Sequence, residues 1–392
     1  MKTGDQNLVK KINKCIVLHT IQTKSPISRS QISQATGLNK ATVSSLVTEL
    51  IKEHLVHEIG TGQSYGGRKP VMLYFNQNAG YSIGIDLGVN YILGVLTDLK
   101  GHIIEKIFVS LNKQDYPYVI NEVIKIIHKL FRQTPKSPYG IIGIGIGVPG
   151  IVNREGTILF APNLNWRNIN IKEEIKKEFD LPVIVENDAN SGAHGEHIYG
   201  AGKNISNLVY VNIGIGIGTG IIIDNKLFKG ATGISGEMGH QTIDLKGMKC
   251  RCGNKGCWEL YASESALRKL AKQIPVFRNA ENIGIEDLIE KANQGNRDVI
   301  SLFDRLGEYI GIGLINVINT FNPHLVIIGN RFSLLKNWIL NPINRVLEQR
   351  LPPFQREACS VTFSELGIYS CALGSAAFAV SSFFDKEKVI VE

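Results

Sequence analysis

The sequence predicts an α/β body of two lobes with a small winged helix-turn-helix in front of it. Three observations carry that class. From Tyr81 onward, apolar runs of strand length alternate with helical stretches, the pattern of sheets covered by helices. Two of those runs end in glycine loops, Gly147-Val148-Pro149-Gly150 and Gly214-Ile215-Gly216-Ile217-Gly218, which puts a site in the cleft between the lobes. Ahead of the body, residues 1–79 read as two helices around a glycine turn, followed by two strands.

The elements of the first module follow in order. Leu8, Ile12, Cys15, Ile16 and His19 recur at helical spacing, so a helix runs from about residue 7 to 22. Pro26 stops it. Ser28 with Gln31 three residues on is a capping box, and the helix from Arg29 to Thr36 ends at Gly37. Asn39 caps the next helix, whose buried stripe is Val43, Leu46, Val47, Leu50 and Ile51. Its opposite face is small and polar: Ala41 and Ser45, flanked by Lys40, Thr42 and Ser44. Such a face lets a helix sit deep in a major groove. Strands at 56–59 and 71–75 frame a wing, where Arg68 beside glycine suits a narrow minor groove. The bland alternative is a helix pair that never touches DNA.

Charge agrees with the module. The chain of 392 residues carries +8, and residues 1–79 hold ten Lys and Arg against four Asp and Glu. A basic module on a nearly neutral body fits a nucleic-acid binder that carries a sensor or an enzyme. No apolar run approaches the roughly 18 residues of a membrane span, and the N-terminus has no signal-peptide core, so a cytoplasmic protein without a membrane partner is expected.

In the body, 83–88 and 91–97 read as a hairpin, and 141–148 as a glycine-interrupted strand. Residues 183–186 form a short strand that delivers Asn187 and Asp188. Strands at 208–213 and 220–223 flank the glycine run, and 324–329 is a later strand behind a helical stretch. The expected division is 1–79, then a smaller lobe of 80–199 with 376–392, then a larger lobe of 200–375.

Three of the six cysteines fall within eight residues. With His240 they give one imidazole and three thiolates, Cys250, Cys252 and Cys257, the ligand set of a closed structural Zn2+ site. Four protein ligands leave no open position for catalysis. Three free buried cysteines are the alternative. Cys15, Cys359 and Cys371 sit on apolar faces and read as core.

At these motifs the chain resembles the ROK family (repressors, open reading frames and sugar kinases). The motifs are Gly147-Val148-Pro149-Gly150, Glu186-Asn187-Asp188-Ala189-Asn190, the glycine run 214–220, Gly236-Glu237-Met238-Gly239-His240, and the segment from Cys250 to Glu259. The resemblance covers residues 80–380 and is strongest to the repressor branch of Gram-positive bacteria. It implies an actin/hexokinase-like (ribonuclease-H-like) fold and a zinc knuckle on the four ligands above. It also implies a sugar held by Asn187, Asp188, Glu237, His240 and Glu259, with Gly150 contacting it through backbone. Asn163 is a weaker member of that set. Surface carboxylates or support for the metal are the plainer readings of Glu237 and Glu259.

The family's kinases carry Asp-x-Gly-Gly-Thr and Gly-Thr-Gly at their phosphate loops. Here those positions read Asp86-Leu87-Gly88-Val89-Asn90 and Gly214-Ile215-Gly216, so both hydroxyls are gone. The resemblance therefore implies a non-enzymatic repressor on a palindromic operator, released by a free monosaccharide, with whole-chain likeness favouring xylose. A homodimer or dimer of dimers would match the palindrome. Two other readings stay open: an active sugar kinase with a DNA-binding head, and a repressor controlled by a protein partner.

Overall fold

The computed structural model describes residues 6–61 and 70–385; Arg68, at the expected wing tip, and residues 386–392 lie outside the described residues. Helix α1 (Gln6–Lys24) leads to a short strand β1 (Ile27–Ser28). Ser28 then starts α2 (Arg29–Thr36): its Oγ accepts from the Gln31 N–H at 3.3 Å, and its own N–H donates to Gln31 Oε1 at 2.9 Å. Gly37 takes the left-handed turn at φ 73°. Asn39 Oδ1 accepts from the Thr42 N–H at 2.7 Å and opens α3 (Lys40–Lys52). Strands β2 (Val56–Thr61) and β3 (Val71–Phe75) pair antiparallel, with β1 on the far side of β3.

The body begins with an antiparallel meander, β4 (Tyr81–Leu87), β5 (Tyr91–Asp98) and β6 (Ile103–Ser110). Helix α4 (Tyr116–Arg132) returns the chain to β7 (Ile141–Val148), parallel to β4. A small sheet of β8 (Ile151–Val152), β9 (Ile158–Ala161) and β10 (Trp166–Ile169) follows, then α5 (Ile171–Phe179) and β11 (Val183–Asn187). The first sheet has the order β11-β7-β4-β5-β6. Helix α6 (Asp188–Tyr199) leads to β12 (Leu208–Ile213), β13 (Ile217–Ile223) and β14 (Lys226–Leu227). Helices α7 (Glu259–Ala262), α8 (Glu264–Ala271), α9 (Ile285–Asn293) and α10 (Arg297–Phe321) precede β15 (Leu325–Gly329). Helices α11 (Lys336–Arg350) and α12 (Pro353–Ala358) precede β16 (Ser360–Phe363), and α13 (Ser370–Asp385) ends the described chain. The second sheet runs β14-β13-β12-β15-β16.

Two details differ from expectation. The glycine run is only partly loop, because Ile217 already pairs with Ile213 and β13 starts there. One stretch, Gly367–Phe384, is apolar and long enough by composition to cross a membrane. Most of it is α13, wedged between the first sheet and α6 as a core helix. The boundary expected at residue 376 falls inside this helix.

Glycines make that wedge possible. A Cβ added at Gly374 would lie 1.7 Å from the Ser191 carbonyl oxygen, and one at Gly145 1.8 Å from the Ser375 carbonyl oxygen. The α6–α13 crossing therefore brings backbone to backbone.

Each lobe has its own core, Ile83, Ile85 and Ile144 with α4 and α5 in the first, and Val211, Phe303 and Ile328 with Trp258 in the second. A third cluster joins the N-terminal module to the body: Leu50, Leu73 and Phe75 share it with Leu99, Ile142 and Val380, and Phe383 and Phe384 pack on it.

Candidate functional site

The end of β11 and the start of α6 build the centre of the cleft. Asn187 is the N-cap of α6: its Oδ1 accepts from the N–H groups of Ala189 (2.9 Å) and Asn190 (3.1 Å). Its Nδ2 donates to the Gly150 carbonyl at 2.9 Å, tying the two motif loops together. Asp188 follows as the first helical residue. Its Oδ1 accepts from the Ala189 N–H, and Oδ2 accepts from Asn212 Nδ2 at 2.9 Å. Burial raises its carboxyl to about 7, helped by the nearby Asp86 carboxylate, and the Ala189 N–H opposes the shift only in part. Asp86, on β4, is itself raised by burial to about 6 although Tyr91 donates to it at 2.8 Å.

The opposite wall comes from 236–240 and the cysteine segment. His240 Nδ1 faces Cys250 Sγ at 3.7 Å, while Nε2 points the other way, 3.8 Å from Glu237 Oε2. The two ring nitrogens thus face two different neighbours. Glu237 keeps 44% of its side chain exposed at the cleft wall; crowding there and the Glu259 carboxylate raise its carboxyl, against the effect of His240. Glu259 Oε1 lies 3.2 Å from Cys250 Sγ and 3.4 Å from His240 Nδ1, so this carboxylate also touches the cysteine cluster.

Gly150, Asn163, Asn187, Asp188, Glu237, His240 and Glu259 all line one cavity of about 320 Å³. Val89, Asn90 and Ile215, the altered loop positions, line the same cavity. Several lining residues escaped the sequence reading. Asn212 links Asp188 to Asn330, whose Nδ2 donates to Asn212 Oδ1 at 3.0 Å; a lone amide at the end of an apolar strand was the available signal. Arg251, between two of the cysteines, reaches Asn163 Oδ1 across the cleft at 3.3 Å.

His240, Cys250, Cys252 and Cys257 bring four ligand atoms within 4.8 Å of one another. The donor set fits zinc in chemistry, and two of its six ligand–ligand edges already have the size that zinc needs. Tetrahedral zinc with bonds of about 2.0–2.3 Å needs S···S and S···N edges of about 3.6–3.8 Å. Cys252 and Cys257 stand 3.7 Å apart, as do Cys250 and His240 Nδ1. The knuckle closes on Gly256 at φ 67°, where a Cβ would fall 1.7 Å from the Asp244 carbonyl oxygen. Of the remaining cysteines, Cys359 and Cys371 are buried, as expected of core residues, and Cys15 is only half-buried.

The face expected to meet DNA is open. Lys40, Ala41, Ser44 and Ser45 are exposed on α3 and Thr42 is half-buried, while Val43, Leu46, Val47 and Leu50 turn inward. Three of the module's four acidic residues are neutralised: Glu49 by Lys10 (2.6 Å), Glu53 by Lys14 (2.6 Å) and Glu58 by Arg29 (2.8 Å). The fourth, Asp5, lies outside the described residues.

Known proteins resemble both halves of the chain. Residues 82–382 match the ROK family. A xylose repressor of Bacillus spizizenii is 46% identical over 389 residues, covering 99% of this chain and 100% of that protein. A crystal structure of a ROK family transcriptional regulator, described as a homologue of the Escherichia coli MLC protein, superposes with a TM-score of 0.81 at 29% identity, over 97% of this chain and 98% of its own. A ROK glucokinase from Streptomyces griseus, solved with glucose and AMPPNP, has a TM-score of 0.72 at 30% identity, over 77% of this chain and 100% of its own. The part of the present chain beyond that kinase's span is about the size of the winged module.

Proposed function

The chain belongs to the ROK family, and from that membership we propose that it is a cytoplasmic transcriptional repressor whose operator is released by free xylose. The observation that carries the reading is the composition of the cleft. Asn187, Asp188, Glu237, His240, Glu259 and the Gly150 backbone converge on one cavity, and the loop positions in that same cavity carry Val89, Asn90 and Ile215. Paired acceptors for sugar hydroxyls are present; the hydroxyl side chains that would meet nucleotide phosphates are not.

In this reading, sugar bridges Asn187 and Asp188 on one wall to Glu237, His240 and Glu259 on the other. Binding favours the closed cleft, and closure changes the placement of two recognition helices in a homodimer on a palindromic operator. Lys40, Ala41, Thr42, Ser44 and Ser45 meet the major groove, and Arg68 the minor groove. His240, Cys250, Cys252 and Cys257 hold a zinc ion, which would supply rigidity to the wall that carries Glu259.

A thermal-shift panel of monosaccharides tests the reading: xylose at about 100 times Kd should add about 2.7 kcal/mol of stability. The same sugar should lower operator affinity, and Ser45→Glu should abolish operator binding without sugar. No stabilisation by any aldose in the panel would sink it.

One observation favours a second reading, an ATP-dependent sugar kinase. Asp188 has its carboxyl raised to about 7, where a general base works best near neutral pH. A coupled assay with ATP and xylose or glucose decides. Turnover in the range of about 1–100 s⁻¹ would establish the kinase; background turnover leaves the sensor.

A further inference from the structure

Beyond the residues that would touch the sugar, an ion pair between a buried carboxylate and a half-buried ammonium joins the two walls of the cleft. Glu186, at the end of β11, is only 5% exposed. Its Oε1 accepts from the Asn187 N–H at 3.0 Å and from Asn190 Nδ2 at 3.0 Å. Its Oε2 accepts from the ammonium of Lys229, which comes from the opposite lobe. Lys229 is the second residue of the loop 228–236 that leads from β14 to Glu237. That loop is tied to itself by Ser235 Oγ donating to the Phe228 carbonyl (2.7 Å). It is tied to β13 by Thr219 Oγ1 donating to the Gly236 carbonyl (2.6 Å), and to the first lobe by Arg154 Nη2 donating to the Gly230 carbonyl (2.9 Å). Three of its glycines, Gly230, Gly233 and Gly236, have positive φ, so the loop follows a path that few other sequences could take without these ties.

From this arrangement we infer that Lys229 is a positioning residue of the cleft. Its ammonium, neutralising Glu186, holds Asn187 in its capping geometry on one wall and seats the loop that delivers Glu237 on the other. This charge pair thereby helps to set the separation of the two walls, beside the Arg154–Gly230 and Arg251–Asn163 links. A buried carboxylate left without a counter-charge is strongly unfavourable, so Glu186 holds its place only while Lys229 is seated. The inference rests on the proposed sugar site for its functional consequence, though not for its geometry.

The test removes both charges together, so that neither side chain is left as an uncompensated charge. The Glu186→Gln/Lys229→Met double variant of the full chain is compared with wild type in two measurements. The first is calorimetric titration with xylose, with sugar-free operator binding as the control for folding. Unchanged operator affinity and a xylose Kd raised at least about tenfold are expected. The Lys229→Arg variant should restore binding to within about threefold, since the ion pair is re-formed. The second is amide hydrogen exchange without sugar, in which 187–190 and 228–237 should exchange faster and the rest of the body should not. Wild-type exchange in both segments, or a xylose Kd within about twofold of wild type, overturns the inference. Faster exchange in a protein whose wild type binds no xylose would uphold the positioning role and refute the sugar reading instead.

Discussion

Asp188 concentrates the chemistry of the cleft in one side chain. Its carboxyl (about 7) and that of Asp86 (about 6) both lie above the unfolded value of 3.8, with burial the first cause in each. Glu237, Tyr91 and Cys371 are the other titratable groups around them. Below pH about 4 folded and unfolded chains are both protonated at these two positions. Between about 4 and 7 the folded chain keeps protons that the unfolded chain has released, so stability falls as pH rises through that window and levels off above it. Denaturant titrations across the window should show this slope, and Asp188→Asn should make it shallower, leaving the share that Asp86 carries between about 4 and 6. The same variant should lose about 10–100-fold in xylose affinity while still binding operator without sugar, since a charge-assisted hydrogen bond is roughly 1.5–3 kcal/mol. Wild-type response to xylose in that variant would place the pocket elsewhere. The proposed sugar contacts Asn187, Asp188, Glu237, His240 and Glu259 were legible because each sits in a motif. Asn212, Arg251 and Lys229 were not, because each acts through a partner far away in sequence, Asp188, Asn163 and Glu186 respectively.

Among the elements, the helices that cap themselves were the easiest to read. Ser28 with Gln31, Gly37 and Asn39 each signal a boundary within a few residues; α2 begins and ends, and α3 begins, at those signals. The small sheet β8-β9-β10 escaped because its strands have two to four residues, too short for an alternating pattern to register. The α6–α13 crossing escaped for a different reason: two glycine-containing helices separated by about half the chain carry no local sign that they meet. Its energetics can be tested directly. Gly374→Ala adds only a methyl group, but one aimed at the Ser191 carbonyl oxygen 1.7 Å away. Overpacking of this kind costs about 1–3 kcal/mol, and the melting temperature should fall by several degrees. An unchanged melting temperature would mean that the helices part freely. The cysteine knuckle makes a separate prediction. Protein purified without added metal should carry one zinc per chain by elemental analysis, and Cys252→Ser should lose it. Full metal content in that variant would exclude the four-ligand site.

Across the whole molecule, the winged module and the body are built as one packed unit. Phe75 meets Phe384 at 6.2 Å between ring centroids, and Phe384 meets Phe383 at 5.1 Å. Leu99, Ile142 and Val380 complete the shared cluster. The helix that carries Phe383 and Phe384 is α13, which crosses α6, whose first residues are the Asn187 cap and Asp188. A continuous packed path therefore runs from the cleft to the module. Phe384→Ala should leave xylose affinity close to wild type while reducing the sugar-induced drop in operator affinity at least about fivefold; an undiminished drop would show that coupling takes another route. Nothing in residues 1–79 announces this docking, because Leu73 and Phe75 read equally well as the core of a free-standing domain. The docking also bears on what the DNA must look like. A head on a slack tether tolerates half-sites at many separations, whereas a head fused into its body behaves like one jaw of a caliper. Two such chains would accept operators of one spacing only. A single base pair inserted between half-sites turns one of them by about 35° around the duplex, and neither jaw could follow it.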